Sequence, residues 1–228
     1  TTEIYTLSLH DALPIYIGNQ MDLWEKSIEL IYTNSSRKEF ENGSEALGMA
    51  HYGYIAWLIG TNQNSKASEF LEKAHENADI LLRKNPSSSM AHSFKAAFLA
   101  YSIALSNYKA PFLGPKSLEH IKQALKLDSQ NPLAWILQGN SLYYMPGFMG
   151  GSKEKALESY QKAILLFEKN RVNLKNNWLY INTLTLLANG YSEMNLNQKA
   201  GSIYEHILRI EPNFKWVKDE LYPRIKQL

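Results

Sequence analysis

The sequence predicts an all-α protein, built as an α-solenoid of helix pairs that ends in a capping helix. Apolar residues recur three and four positions apart along nearly the whole chain, which is the period of an amphipathic helix. No window after the first fifteen residues combines β-branched alternation with the turn residues of a hairpin. Because the predicted helices come in pairs separated by short breaks, a solenoid is favoured over a bundle.

The composition is that of one ordinary soluble globular domain. The chain has 228 residues, of which 45% are hydrophobic and 20% charged. A chain of this length buries a sizeable core without cross-links. The absence of cysteine excludes disulfides, Cys-ligated zinc, iron–sulfur clusters and thiol catalysis. A formal charge of +2 is too small to indicate binding to nucleic acid or to a membrane surface.

The first fifteen residues form a separate segment. Residues 1–15 read TTEIYTLSLHDALPI, which is similar over its whole length to the in-frame translation of a common short-read sequencing adapter. The alternative is a genuine N-terminal strand, since residues 4–9 roughly alternate in polarity. On the first interpretation the natural part begins near Tyr16, spans about 213 residues and carries a formal charge of +4. Its own N-terminus, with any export signal or lipid anchor, is then expected to lie upstream.

Three helices are predicted before residue 90. The first is an added N-terminal helix over residues 21–34, capped by Asp22, and the second covers residues 44–59. The third ends at Asn85, because the residue before Pro86 avoids the helical conformation. Its apolar face consists of Ala67, Leu71, Ala74, Ala78 and Leu81.

An internal repeat covers the second half of the chain. Trp135 and Gly139 lie on one predicted helix, and Ala156, Tyr160 and Ala163 follow on the next. The pattern returns further on as Leu187, Ala188, Tyr191, Ala200, Tyr204 and Pro212. It resembles the tetratricopeptide repeat (TPR), W-x2-L-G-x2-Y followed by A-x3-F and a final P. The resemblance implies a right-handed α-solenoid of divergent TPR helix pairs, in which the small residue lets the paired helix approach.

The repeats are longer than the family's plain unit. Equivalent small or aliphatic positions lie 50, 39 and 44 residues apart, against roughly 34 in the plain repeat, so the extra residues must loop out. These positions are Ala74, Ala124, Ala163 and Ile207. We expect a single TPR-like domain over residues 16–228, with repeats over residues 44–212 and a capping helix over residues 213–228.

Two aromatic segments carry the insertions. Both segments, residues 108–117 and 143–152, contain an aromatic residue, then Pro, then Phe-aliphatic-Gly. Each ends at a Ser that is predicted to cap the next helix. They resemble loops in a group of bacterial TPR proteins of the Bacteroidota, through Phe-Leu-Gly-Pro-Lys-Ser at 112–117 and Phe-x-Gly-Gly at 148–151. That resemblance implies the fold and a location that is usually exported, periplasmic rather than cytoplasmic.

Two surfaces are candidates for binding a partner. The first is the loop edge, where Phe112, Phe148 and Met149 would form an exposed apolar patch. The alternative, which we favour from the sequence, is that these side chains fold back and fill the gap between repeats. Because neighbouring repeats stack in register, both segments are expected on the same edge of the solenoid.

The second candidate surface is the concave groove, which in the TPR family is lined by the first helix of each pair. The resemblance places Ile136, Asn140, Tyr143, Thr185 and Asn189 there. In some family members an Asn at the place of Asn140 and Asn189 bonds the backbone of a bound peptide, although a solvated Asn is an equal alternative. A carboxylate clamp is not expected, because Ile136 and Thr185 are not basic.

No catalytic residue, cofactor site or metal site is predicted. The histidines of the helical part are expected to lie far apart on separate helices, and none has a spacing such as H-E-x-x-H. They are His51, His75, His92, His120 and His206.

The sequence therefore predicts a non-catalytic binding or scaffold module that presents its groove or loop edge to a protein or peptide partner. No nucleic-acid partner and no membrane span are expected. One alternative is a periplasmic accessory protein like the T-component of some tripartite transporters. Another is a helical-repeat enzyme, which would need paired acids that converge on a cavity.

Overall fold

The helices account for nearly all of the chain that can be described. The computed structural model describes residues 12–34, 44–169, 174 and 177–226. Within those ranges there are helices and turns but no strand, which confirms the predicted all-α solenoid class. The alternative N-terminal strand lies outside the described residues, and the adapter origin of residues 1–15 stays a prediction.

The elements follow one another with short connections. They are α1 (Ala12–Gly18), α2 (Met21–Asn34), α3 (Glu45–Gly60), α4 (Asn64–Lys84), α5 (Ser89–Leu105), α6 (Ala110–Leu127), α7 (Pro132–Tyr144), α8 (Lys153–Lys169), α9 (Trp178–Glu193), α10 (Asn197–Ile210) and α11 (Tyr222–Lys226). Short 3₁₀ helices cover Asn107–Lys109 and Gly147–Met149, and a π-helical turn covers Trp216–Leu221.

Local sequence signals explain most helix ends. Ser44 caps α3, since its hydroxyl accepts a hydrogen bond from the backbone N–H of Leu47 at 3.2 Å. Asn131 caps α7 in the same way, accepting from the N–H of Leu133 at 3.0 Å. The third predicted helix, α4, ends at Lys84, just before the Asn85-Pro86 break. Asp22 is not a cap as predicted, because α2 already begins at Met21 and includes it in the first turn.

The described residues fall into two compact units. Unit 1 comprises residues 22–137 and unit 2 comprises residues 12–21 together with residues 138–226. The boundary lies within α7. The single domain predicted for residues 16–228 and the shared edge for the two aromatic segments therefore stay predictions.

In unit 1, polar side chains tie buried helices together. The indole N–H of Trp24 on α2 donates to the carbonyl of Ala50 on α3 at 3.0 Å, although the ring itself is buried. Where α3 and α5 cross, Gly48 leaves room for the ring of Phe94, since a Cβ atom at Gly48 would lie 2.6 Å from that ring. The small residue thus allows close helix approach.

In unit 2, the repeat residues pack as the family resemblance implied. The rings of Tyr160 on α8 and Tyr204 on α10 are buried, and Gly139 on α7 faces Tyr160 so closely that a Cβ atom would clash with it. The N-terminal helix α1 packs on α9 through Tyr16, whose hydroxyl donates to Asn182 at 3.0 Å. The core of unit 2 therefore includes a helix that the repeat pattern did not predict.

Candidate functional site

The second aromatic segment, residues 143–152, is a turn closed by its own backbone. After α7 ends, the N–H groups of Met149 and Gly151 both donate to the carbonyl of Pro146, at 2.9 and 3.1 Å. The N–H of Ser152 then donates to the carbonyl of Leu142 at 2.9 Å, which joins the segment to the end of α7. These bonds pair backbone N–H groups of the turn with carbonyls of the same short stretch of chain.

Two glycines make this turn possible. Gly150 has a φ of 102°, a conformation that residues with a side chain rarely adopt. At Gly151 any Cβ atom would clash with the backbone carbonyl of Met145, which cannot move without opening the turn. The Gly-Gly pair therefore fixes the path of the chain into α8, where the Ser152 hydroxyl caps the helix by accepting from the N–H of Lys155 at 3.3 Å.

The apolar side chains of this turn face solvent. Phe148 is 92% exposed, and Tyr144 and Met149 are also largely exposed. The expectation that Phe148 and Met149 fold back between repeats is wrong, because both side chains are exposed in the closed turn. Exposed apolar side chains this close together are typical of binding surfaces.

The base of the turn is held by charge and by an aromatic ring. The ammonium of Lys153 pairs with the carboxylate of Glu193 at 2.9 Å and lies 5.2 Å from the ring centre of Tyr143. Burial raises the pKa of the Tyr143 hydroxyl, and the nearby Glu193 carboxylate adds to the rise. Tyr143, predicted to line the groove, is thus half-buried at the foot of the turn and helps to position it.

The first aromatic segment, residues 108–117, is helical rather than a loop. It consists of a 3₁₀ turn followed directly by α6, and Phe112 is 73% exposed on the first turn of that helix. Tyr108 is exposed as well. Ser117 does not cap a helix as predicted: it lies inside α6, where its buried hydroxyl donates to the carbonyl of Ala96 at 2.9 Å. The expected fold-back is wrong here too, since Phe112 faces solvent.

Two of the predicted groove residues are buried inside the protein. Ile136 and Thr185 are buried, so neither lines an open surface as the resemblance implied. The hydroxyl of Thr185 donates to the carbonyl of Ile181 at 2.9 Å within its own helix.

Asn140 and Asn189 occupy equivalent places, as the repeat predicted, and have equivalent partners. The hydroxyl of Tyr160 donates to the Oδ1 atom of Asn140 at 2.8 Å, and that of Tyr204 donates to the Oδ1 atom of Asn189 at 2.5 Å. A nearly buried Tyr needs a hydrogen-bond partner for its hydroxyl. In the sequence, a Tyr replaces the family's Phe at both positions. This replacement was the signal that the two Asn side chains accept hydrogen bonds within the fold.

The histidines are not all far apart. His92 on α5 and His120 on α6 bring their Nδ1 atoms within 2.8 Å of each other, which corrects the expectation of isolated histidines. In the part of the chain that the structure describes, no group of three or more His, Asp or Glu side chains is arranged to hold a metal ion. Within that same part, no helix is long and apolar enough to cross a bilayer.

The comparisons with known proteins support the repeat fold. No protein-family model matches the chain, and no curated protein shows significant sequence similarity to it. Among solved structures, the chain is similar to TTC0263, a thermophilic TPR protein in Thermus thermophilus, with 14% identity and a TM-score of 0.59. That match covers 97% of this chain and 100% of the other.

A second solved structure is also similar. The HusA haemophore from Porphyromonas gingivalis matches with 22% identity and a TM-score of 0.52, over 64% of this chain and 75% of its own. At these identities the likeness shows the fold alone. The fold and the comparisons therefore define the class: an all-α helical-repeat protein with a TPR-like fold.

Proposed function

We propose that the protein is a non-catalytic binding module that presents the second aromatic segment to a protein partner. The exposure of Phe148 supports this proposal above all, because a Phe side chain left in water by an ordered turn gives nothing to the stability of the fold. Helical-repeat proteins use rigid exposed surfaces of this kind to bind other proteins.

The chemistry of the segment fits a protein partner. Tyr144, Phe148 and Met149 are residue types that are enriched in the centres of protein interfaces, where aromatic and Met side chains fill pockets of the partner. No Asp or Glu lies within residues 143–152. Because the turn is held by its own backbone bonds, binding would order few further groups and lose little conformational entropy.

Photo-crosslinking tests the surface directly. A photoreactive amino acid in place of Phe148 should form crosslinks to a partner in a bacterial extract, whereas the same amino acid in place of Leu165 should not. Leu165 is a matched control, because it is a large apolar residue that is exposed on α8 of the same unit.

A double substitution then measures the contribution of the turn. Phe148→Ser with Met149→Ser should weaken capture of the crosslinked partner at least about tenfold without lowering the melting temperature, since both side chains are exposed. Asn140→Ala should instead lower stability and leave affinity unchanged, because it removes the partner of Tyr160. Equal crosslinking from both positions, or affinity that depends on Asn140 and not on Phe148, would reject the turn as the binding surface.

The proposal extends to the location of the protein. The resemblance of both aromatic segments to exported TPR proteins of the Bacteroidota supports an exported, periplasmic module. A periplasmic accessory role in a transport system is compatible with the same surface.

Haem capture is a second candidate, favoured by one comparison and one feature of the turn. HusA is a haemophore. The second aromatic segment exposes flat apolar surface together with Tyr144 and Met149, and both Tyr and Met serve as axial ligands of haem iron in proteins.

Titration with haemin separates this candidate from the first. If the turn binds haem, one equivalent should shift and sharpen the Soret band, and Tyr144→Phe or Met149→Leu should change the band position by removing an iron ligand. Leu165→Ser is again the control and should leave the spectrum unchanged. A Soret band that is the same in all of these variants would exclude the turn as a haem site.

A further inference from the structure

A pair of histidines joins the two helices of one repeat in unit 1. His92 lies on α5 and His120 on α6, with their Nδ1 atoms 2.8 Å apart and their ring centres 5.0 Å apart. Both side chains are partly exposed, so the pair is accessible to solvent. This pair lies outside the aromatic segments and plays no part in the binding function proposed above.

The hydrogen bonds assign the protons of this pair. The Nε2 atom of His92 lies 3.0 Å from the carbonyl oxygen of Pro86. A carbonyl only accepts, so Nε2 of His92 carries its hydrogen and Nδ1 of a neutral His92 has a free lone pair. His120 must then donate from its own Nδ1 atom, and one hydrogen lies between the two rings.

We propose that His92 and His120 bind a divalent transition-metal ion, Cu²⁺ or Ni²⁺, through their Nδ1 atoms in place of this shared hydrogen. Two imidazole nitrogens that bind one such ion at right angles, each at about 2.0–2.1 Å, lie about 2.8–3.0 Å apart. The hydrogen bond between the two rings sets the observed separation of 2.8 Å, and this separation places both nitrogens within the span of one such ion. Among divalent first-row ions, copper is bound most tightly by sites of nitrogen ligands and nickel is the next below it on the rising side of that order, so the site favours copper or nickel.

The hydrogen bond that His92 makes with its second ring nitrogen is typical of a histidine that binds a metal ion. Histidines that bind metals usually donate their second ring N–H to a carbonyl or carboxylate, which fixes the ring and leaves the other nitrogen free. The carbonyl of Pro86 does this for His92. On binding, His120 exchanges its hydrogen from Nδ1 to Nε2 through solvent, and the His120 ring turns so that its lone pair meets the ion at Nδ1 of His92, while the bond to Pro86 holds the His92 ring.

The charges around the pair are balanced. Lys95 and the acidic side chains of Asp79 and Glu119 act on His120, and Lys95 is itself paired with Asp79 at 2.5 Å. Water molecules would complete the coordination of an ion held by two side chains.

Metal titration of the untagged 228-residue chain tests the site. Calorimetry with Cu²⁺ and with Ni²⁺ should show one equivalent bound, and His92→Gln or His120→Gln should lower the affinity at least about tenfold. His206→Gln, in unit 2, is the matched control and should leave the affinity unchanged. Each bound ion should also raise the melting temperature of the wild-type chain, because it joins α5 to α6.

A spectroscopic measurement avoids any dependence on variants that fold poorly. In the wild-type chain labelled with ¹⁵N-histidine, substoichiometric Cu²⁺ should broaden the ring signals of His92 and His120 before those of any other histidine. The proposal is wrong if no single-equivalent binding is seen, if His92→Gln and His120→Gln both bind as tightly as the wild type, or if the first broadening occurs at any histidine other than His92 and His120.

Discussion

Acidification from pH 7 to about pH 4.5 is expected to destabilise unit 1 by about 2–3 kcal/mol through His51 alone. His51 lies on α3 and is fully buried, with its Nε2 atom 3.3 Å from the hydroxyl of Tyr32. Burial, and secondarily the positive charge of Lys73, lower its pKa to about 3. Lys73 lies 5.2 Å from the ring centre of Phe70, which packs edge-on against the same imidazole.

The direction of this pH effect follows from the difference between the pKa of His51 in the folded chain and its pKa in the unfolded chain. In the unfolded chain His51 takes up a proton near its ordinary pKa of about 6.5, whereas the folded chain resists protonation until about pH 3. Its contribution to stability is therefore complete above about pH 6.5 and is lost progressively as the pH falls towards the folded value. His75 adds to the loss in the same direction, since burial, followed by Lys95, lowers its pKa to about 4.

Urea unfolding at a series of pH values measures this effect. The free energy of unfolding should fall between pH 6.5 and pH 4.5, and His51→Gln should flatten that slope by about one proton equivalent. Tyr32→Phe is the control, because it removes the hydroxyl next to His51 and leaves the buried imidazole in place. If His51→Gln and Tyr32→Phe show the same pH dependence as the wild type, His51 does not account for the acid sensitivity.

Local signals in the sequence predicted the helices well. The start of the second helix near Ser44 and the stop before Pro86 depend only on neighbouring residues, and the structure confirms both. Ser117 shows the limit of such signals. A Ser after a proline is typical of a helix start, but the fold continues α6 through this position and satisfies the hydroxyl across to the carbonyl of Ala96.

The candidate sites were harder to predict because they depend on side-chain direction. The pattern of an aromatic residue, Pro and Phe-aliphatic-Gly located the segment at residues 143–152, but this pattern does not encode the exposure of Phe148. The family pattern likewise gives the register of Ile136 and Thr185 without revealing that they are buried. His92 and His120 are 28 positions apart in sequence, and only the pairing of α5 with α6 brings them together.

Gly139→Ala is expected to destabilise unit 2 by about 1–3 kcal/mol, although alanine is the better helix former by about 1 kcal/mol. A methyl group at this position of α7 would clash with the buried ring of Tyr160 and would lie 3.1 Å from the backbone carbonyl of Ala156. The ring cannot simply move away, because the Tyr160 hydroxyl is held by Asn140 at 2.8 Å. Urea unfolding of the variant measures the loss.

A glycine without neighbours provides the matched control. Gly114 lies within α6, and nothing is within 4 Å of where its Cβ atom would be, so Gly114→Ala should stabilise the protein by about 0.5–1 kcal/mol. Gly→Ala is therefore expected to change the free energy of unfolding in opposite directions at these two helical positions. Replacing Tyr160 by Leu should relieve the clash, so the cost of Gly139→Ala should be smaller in that background than in the wild type. If Gly139→Ala lowers the free energy of unfolding equally in the wild type and in the Tyr160→Leu background, contact between Gly139 and Tyr160 is not what requires glycine in the TPR-like pattern.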